Sequence, residues 1–326
     1  MSIQKRSVGI VGVGHVGSHC AYSLAVQGIV DELVLCDTNE ALMAAQAKDL
    51  FDAACCYPHR VAIRTGPISA LADCDIVVIC VAREIPEVAL RDAELANSVR
   101  EVKSLIPRLM SAGFDGIIIN ITNPCDAITQ IVWRDSGLDS RKVIGTGTGL
   151  DSARFRSILG RELDLNPSAI NGFVLGEHGN AQFPAWSHVT VGGKPLAQLE
   201  KSSPRFSQID KEKITQEVKG SGYQVWFTKR GIDFSVTSVL AQVVRSIYND
   251  EKVAMPLSVM LDGQYGQSGV YVSTPAIIGR EGVEEILELE LPDDEMKHFG
   301  ASCESVRRNV RRANEMVAEG LGGENE

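Results

Sequence analysis

A glycine-rich turn constrains the fold of this chain more than any other feature. Residues 12–17 read Gly-Val-Gly-His-Val-Gly, directly after the apolar run Val8–Val11 and directly before a helix-like stretch. Gly12 permits a tight turn, Gly14 lets the backbone approach a pyrophosphate, and Gly17 allows a helix to pack closely on a strand. The turn therefore predicts a dinucleotide-binding unit in which a helix N-terminus faces the phosphates.

An acidic residue, Asp37, stands twenty residues after Gly17 and ends the second apolar run, Leu33–Cys36. A carboxylate in that place hydrogen-bonds the adenosine ribose hydroxyls and repels a 2′-phosphate. The cofactor is therefore expected to be NAD rather than NADP. A glycine-rich turn without a ligand is the alternative, and the succession of strand, turn, helix and acid argues against it.

Short apolar runs alternate with helix-like stretches through the first 145 residues. Continuous Val- and Ile-rich runs are typical of strands that are buried on both faces of a parallel sheet. The alternation predicts an α/β fold with a Rossmann doubly wound parallel sheet, in an NAD-binding domain over residues 1–145. The predicted strands are Val8–Val11, Leu33–Cys36, Val61–Ile63, Ile76–Val81, Ile117–Ile121 and Val143–Ile144, and the predicted helices are His15–Gln27, Glu40–Ala54, Ala93–Ser111 and Pro124–Arg134.

The pattern changes after Gly149, and residues 146–326 are expected to form an α+β catalytic domain. Two long runs near the C-terminus alternate in hydropathy as antiparallel strands do. The predicted strands of this half are Ile170–Leu175, His188–Val191, Val253–Leu261 and Val270–Ile278, and the predicted helices are Asp151–Leu163, Ser207–Gly220, Ser235–Tyr248 and Glu295–Glu319.

Composition argues against several classes of protein. The chain has 32 Lys and Arg against 42 Asp and Glu, a net charge of −10, whereas a nucleic-acid binder usually has a basic domain or stripe. No apolar run approaches the about 20 residues of a membrane-spanning helix. Eight cysteines are scattered without a CxxC pair, which favours a reducing, cytoplasmic compartment and predicts no metal site.

Polar residues that could carry out chemistry stand at four places in the sequence. His178 lies between glycines after an apolar run, where it is placed for access rather than for packing. Asp151 and Arg154 are three residues apart, so they share a helix face. Asn123 follows a strand of the sheet, at the edge where open α/β sheets bind ligands, and Arg91 follows another strand. A single histidine is more often structural, but these residues together predict a reaction centre.

Five stretches together resemble one enzyme family: GVGHVG, ITNPCDAIT, KVIGTGTGLDSARFR, GFVLGEHGNAQFPAWS and YVSTPAIIGREGV. The chain resembles the L-lactate/L-malate dehydrogenases, in particular the L-2-hydroxyisocaproate dehydrogenase branch, over nearly its whole length. The resemblance implies an NAD-dependent L-2-hydroxyacid dehydrogenase, which transfers hydride reversibly between NADH and a small-molecule 2-oxo acid. It also implies self-association, with a homotetramer ahead of a homodimer.

The resemblance also assigns a role to each candidate residue. Such a reaction needs a general acid and base, a carboxylate that orients it, a residue that binds the substrate carboxylate, and an electrophilic residue on a loop. The resemblance implies that His178 is the acid and base, and that Asp151 orients His178 and raises its pKa. It implies that Arg154 binds the substrate carboxylate and that Arg91 closes over the site and polarises the C2 carbonyl. It further implies that Asn123 hydrogen-bonds the substrate oxygen and borders the cofactor, and that Thr146 lies near the nicotinamide amide.

Two positions depart from the lactate pattern and bear on the substrate. Ile85 stands where lactate dehydrogenases carry Gln and malate dehydrogenases carry Arg, and an apolar side chain cannot pair with a second carboxylate. Gly231 is aligned with a threonine of the side-chain pocket and would enlarge that pocket. Both departures predict an oxo acid with a bulky apolar side chain, such as 2-oxoisocaproate or phenylpyruvate. Pyruvate is the alternative, and Arg83, two residues from Ile85, keeps malate chemistry open.

Two other classes of protein compete with this interpretation. An NAD- and metal-dependent glycosidase needs a Cys/His metal pair, which Cys125 and His178 could imitate. A non-catalytic dinucleotide sensor needs none of the catalytic residues. The combination of Asp151, Arg154 and the GEHG segment favours a dehydrogenase over both.

Overall fold

A computed structural model describes residues 5–82 and 91–320, apart from the side chains of Arg91 and Asp92. In the first half, six parallel strands alternate with four helices. The strands are β1 (Ser7–Val11), β2 (Glu32–Cys36), β3 (Ala62–Thr65), β4 (Ile76–Ile79), β5 (Ile117–Asn120) and β6 (Val143–Gly145), and the helices are α1 (His15–Val26), α2 (Glu40–Ala54), α3 (Arg91–Ser111) and α4 (Cys125–Ser136).

The second half mixes short strands, a long antiparallel meander and six helices. Its strands are β7 (Ile170–Asn171), β8 (Val174–Leu175), β9 (Phe183–Pro184), β10 (Thr190–Val191), β11 (Lys194–Pro195), β12 (Val253–Asp262), β13 (Ser268–Gly279) and β14 (Gly282–Ile286). Its helices are α5 (Gly149–Leu163), α6 (Leu196–Ser202), α7 (Pro204–Ser207), α8 (Lys211–Lys229), α9 (Phe234–Asn249) and α10 (Asp293–Ala318).

The parallel strands lie in the order β3-β2-β1-β4-β5-β6. This is a Rossmann arrangement, because the chain starts in the middle of the sheet and winds outwards in both directions. The prediction of a doubly wound parallel sheet is therefore confirmed. The antiparallel meander β12-β13-β14 continues the same sheet, since Ser258 of β12 pairs with Gly145 of β6. The sheet thus crosses residue 145, where the sequence predicts the change of domain.

Helices cover both faces of the sheet and bury its strands. Every residue of β1, β2, β4 and β5 is buried, whereas the edge strand β3 is largely exposed. Gly17 lets α1 approach β1, because a side chain there would collide with the Gly12 carbonyl oxygen. Among the described residues, no helix has the length and apolar character that crossing a bilayer requires.

The bounds of several predicted elements differ from those observed, and two elements differ most. The sequence predicts one strand over Ile170–Leu175, but this run divides into β7 and β8, which belong to different sheets. Gly172 lies at the division, where a side chain would come within 2.8 Å of the Phe155 ring. The predicted helix Ser207–Gly220 is wrong at both ends. Helix α8 begins after Asp210, whose side chain accepts the Lys213 N–H at 2.9 Å, and its packing against α5 carries it past two glycines.

Candidate active site

Helix α5 carries the carboxylate that organises the site. Asp151 lies in the first turn of the helix, and its side chain is 1% exposed. Its Oδ2 atom lies 2.6 Å from His178 Nδ1, and its Oδ1 atom accepts a hydrogen bond from Arg154 Nη1 at 3.0 Å. One buried carboxylate therefore holds an imidazole and a guanidinium together. This arrangement brings together three residues that the sequence singled out from two separate segments.

The loop between β8 and β9 presents His178. Gly176 opens the loop with a φ of +93°, and a side chain there would collide with Ser302. The imidazole is 22% exposed, so one side of the ring remains accessible. Because Nδ1 faces Asp151, Nε2 is the ring atom left for an incoming molecule.

The charges in the site stabilise each other. Burial alone lowers the pKa of His178, but the neighbouring carboxylates, Asp151 foremost and then Asp126, together outweigh burial and raise it. Burial alone raises the pKa of Asp151, but His178 and Arg154 outweigh burial and lower it. Asp151 therefore stays ionised, and His178 keeps its proton to a higher pH than a free histidine does.

The glycine-rich turn has room for a dinucleotide. Gly12 has a φ of +84°, and a Cβ there would lie 2.6 Å from the Cys80 carbonyl oxygen. A Cβ at Gly14, in contrast, would meet nothing within 4 Å, so the backbone is bare at the point where a pyrophosphate approaches. Helix α1 follows with no side-chain cap and no acid in its first turn, so its first N–H groups and its positive dipole end face an anion.

Asp37 is fixed beside this turn. Its Oδ2 accepts the Val13 N–H at 2.7 Å, and its Oδ1 accepts the Asn39 N–H at 2.8 Å. A carboxylate has about four acceptor positions, so capacity remains for two ribose hydroxyls. The residues present therefore fit NAD.

The two other predicted cofactor residues lie at the carboxyl ends of neighbouring strands. Asn123 follows β5 and lines a cleft with Val16, Cys80 and Ile121. Thr146 follows β6 and is 4% exposed. Both positions are at the edge of the sheet where open α/β folds bind their ligands.

The structure describes the three remaining predicted site residues to different extents. Ile85 lies outside the described residues, and Arg91 begins α3 with its side chain outside the description. Gly231 follows α8, and the three atoms nearest to a Cβ there all belong to Asp233. Gly222, inside α8, is the glycine that lies beside Arg154. A Cβ at Gly222 would lie 3.6 Å from Arg154 Nη1 and 3.7 Å from Ile232 Cδ1.

Sequence reasoning missed two residues here. The position of Gly222 within a helix was a signal, because a glycine is unfavourable there unless packing requires it. Asp126 was also missed, although it stands three residues after Asn123 in the ITNPCDAIT stretch. Its Oδ2 accepts the backbone N–H of His178 at 2.7 Å.

The Cys125–His178 metal pair finds no support. The Cys125 thiol is 1% exposed, donates to the Asn120 carbonyl oxygen at 3.7 Å and accepts the Gly147 N–H at 3.4 Å. Within residues 5–82 and 91–320, no group of three or more His, Cys, Asp and Glu side chains is placed to hold an ion.

Comparison with known proteins identifies the family. The NAD binding domain of lactate/malate dehydrogenase matches residues 6–145, and the alpha/beta C-terminal domain of lactate/malate dehydrogenase matches residues 148–317. The L-lactate dehydrogenase of Fusobacterium nucleatum subsp. nucleatum is 39% identical over 309 residues, which are 94% of this chain and 97% of that protein. L-lactate dehydrogenase 3 of Bacillus thuringiensis subsp. konkukian is 40% identical over 308 residues, 94% of this chain and 98% of that protein.

Solved structures of L-lactate dehydrogenases are also similar to this chain. Minor L-lactate dehydrogenase from Enterococcus mundtii, in a ligands-bound form, superposes with a TM-score of 0.91 and 31% identity, covering 94% of this chain and 98% of that one. These relatives are named for lactate, and none of them is named for hydroxyisocaproate. The chain therefore belongs to the lactate/malate dehydrogenase family and is an NAD-dependent 2-hydroxyacid dehydrogenase, an oxidoreductase acting on CH–OH donors.

Proposed function

We propose that the enzyme interconverts 2-oxo acids and L-2-hydroxy acids with His178 as the general acid and base. The observation that carries this proposal is the single buried carboxylate of Asp151, which contacts both His178 and Arg154. NADH, when bound, supplies the hydride. In the reductive direction His178 starts protonated and gives its Nε2 proton to the substrate carbonyl oxygen. Asp151 stabilises the imidazolium and fixes the ring orientation.

The other residues bind and enclose the substrate in this proposal. Arg154 pairs with the substrate carboxylate through its planar guanidinium, which suits two parallel hydrogen bonds. Arg91, from the start of α3, closes over the site and polarises the carbonyl group. Asn123 donates to the substrate oxygen, and Thr146 borders the nicotinamide amide. Gly12, Gly14, Gly17 and Asp37 hold the pyrophosphate and adenosine ribose.

The proposed substrate is an oxo acid with a bulky apolar side chain. Gly222 supports this, because a glycine beside Arg154 leaves space close to the bound carboxylate. Ile232 lies next to it and offers an apolar wall. The identity of Ile85 adds to the argument, whereas Gly231 does not, because the atoms nearest to a Cβ there all belong to Asp233. These residues favour the L-2-hydroxyisocaproate type of substrate over pyruvate. The names of the relatives, in contrast, favour pyruvate.

Rates with four oxo acids test this proposal. We expect NADH oxidation at saturating cofactor to have a higher kcat/KM with 2-oxoisocaproate and phenylpyruvate than with pyruvate and oxaloacetate. A clear preference for pyruvate would leave the chemistry intact and overturn the pocket argument. An absence of turnover with all four acids would overturn the assigned roles as well.

We also propose that the chain self-associates, and that it forms a homotetramer in preference to a homodimer. Helix α1 packs against both α2 and α9, and each of the three helices exposes an aromatic ring. Tyr22 is 48%, Phe51 63% and Phe234 68% exposed, and the Phe234 ring lies 5.6 Å from that of His19. Exposed aromatic rings on three neighbouring helices support this assignment of a contact surface. Sedimentation equilibrium of the wild type and of Phe51→Glu tests this, and a monomeric wild type contradicts it.

A further inference from the structure

Asp126 is a buried carboxylate that the chemistry described above does not use. It lies in the first turn of α4, close behind the His178 loop, and is 1% exposed. We propose that Asp126 is a positioning residue for His178, which anchors the backbone of the histidine and places a second negative charge beside the imidazole. The inference rests on the proposed role of His178 as the acid and base.

The hydrogen bonds around Asp126 fix the loop at two points. Its Oδ2 accepts the His178 N–H at 2.7 Å, and its Oδ1 accepts the Ser273 hydroxyl at 3.4 Å. Ser273 also exchanges backbone hydrogen bonds with Gly176, at 2.9 and 3.1 Å. The loop is thus held to β13 at Gly176 and to α4 at His178. Since β13 and α4 pack on each other, the histidine is held by the core of the molecule.

Anchoring alone does not explain why this side chain is ionisable. A neutral Asn or Ser would accept the same N–H, and burying a charge costs much more than burying an amide. Burial raises the pKa of Asp126 to about 6, although the His178 N–H opposes the rise. The negative charge of Asp126 in turn raises the pKa of His178, after the larger effect of Asp151. The buried negative charge of Asp126, although costly, therefore favours the protonated form of the His178 imidazole.

The other ionisable groups that face this pair come from α4, α5, α10 and the His178 loop. Asp151 and Arg154 of α5 act on His178 in opposite directions, the first raising and the second lowering its pKa. Glu177, in the same loop, raises the pKa of Asp126. Two thiols also face it, and burial raises the pKa of each to about 12, so both are neutral: they are Cys125 of α4 and Cys303 of α10.

Replacement of Asp126 by asparagine separates charge from shape. Asp126→Asn keeps an oxygen for the His178 N–H and removes the charge. We expect the pH at which oxo-acid reduction falls to half to move down by about half a unit or more. Below about pH 6 the variant and the wild type should converge, because the wild-type carboxyl is itself protonated there. NADH affinity should be unchanged. Asp135→Asn, on the same helix and paired with Lys103, is the control and should keep the wild-type profile.

Removal of the oxygen that accepts the His178 N–H should affect the kinetics differently from removal of the charge. Asp126→Ala should lower kcat roughly tenfold or more at every pH, with NADH affinity retained. If Asp126→Asn does not fold, Asp126→Ser, which is also neutral, should show the same downward shift. A pH profile of a folded neutral variant that matches the wild type overturns the inference.

The inference can fail independently of the proposed function. If the wild type reduces no oxo acid, the proposed function has failed, and the His178 titration can still be followed by NMR of its ring protons. A lower His178 pKa in Asp126→Asn than in the wild type then supports the electrostatic contact, and an unchanged pKa overturns it.

Discussion

His178 Nδ1 lies 2.6 Å from Asp151 Oδ2, and the Asp151 carboxylate is sealed from solvent. A buried anion this close to an imidazole favours the protonated ring, despite the opposing effect of burial on the histidine. In the proposed mechanism, this hydrogen bond therefore sets the pH dependence of the enzyme.

The first prediction concerns that hydrogen bond. In the proposed mechanism reduction needs protonated His178, so the rate of reduction should fall as pH rises through the raised pKa of the histidine. Oxidation of the hydroxy acid should become faster over the same range. Asp151→Asn should lower kcat by on the order of 100-fold and move the fall in reduction to lower pH. Glu162→Gln, on the same helix, is the control for pH profiles measured in both directions. A profile of Asp151→Asn that coincides with the wild type would contradict the assignment.

The second prediction concerns the carboxylate clamp. Arg154→Lys keeps the charge but loses the planar fork, so KM for the oxo acid should rise about 10- to 100-fold. The KM for NADH should change little. Arg161→Lys is a matched control, since Arg161 lies on the same helix and pairs with Glu217 at the surface. Equal KM values for the two variants would remove Arg154 from the substrate site.

The third prediction concerns pocket size. Gly222→Ala places a methyl group at ordinary contact distance from Arg154 and Ile232, so the helix should accept it. The methyl takes volume from the pocket, and kcat/KM for 2-oxoisocaproate should fall about tenfold relative to pyruvate. Gly220→Ala is the control, because a Cβ there meets nothing within 4 Å. Both variants gain the same helix propensity, so a substrate ratio that moves equally in both would contradict the pocket assignment.

The fourth prediction concerns the cofactor turn. A Cβ at Gly14 is free of protein atoms, so Gly14→Ala should unfold at the wild-type temperature. It intrudes where a pyrophosphate would approach, and the Kd for NADH should rise about tenfold or more. Gly300→Ala, which is equally unobstructed, should leave the Kd unchanged. Calorimetric titration with NADH and a thermal melt separate the two effects, and unaltered affinity in Gly14→Ala would rule out this path for the phosphates.

The amino-acid sequence alone predicts the features that depend on local spacing. The turn from Gly12 to Gly17, the acid at Asp37 and the pair formed by Asp151 and Arg154 are each encoded within one short segment. The periodicity of apolar residues in strands and helices likewise predicts the parallel sheet. Backbone conformation and helix geometry depend on near neighbours, so these features could be predicted without knowledge of the rest of the chain.

The contacts between distant segments, in contrast, became known from the three-dimensional fold. Asp126 and His178 are 52 residues apart, and their hydrogen bond exists because α4 packs beneath the histidine loop. Gly222 reaches Arg154 because α8 packs on α5, and the same packing carries α8 past glycines at which propensity predicts an end. The split of residues 170–175 between two sheets likewise follows from separate pairing partners, Thr190 for Asn171 and Pro184 for Val174. Such contacts depend on the packing of whole elements, which local patterns do not encode.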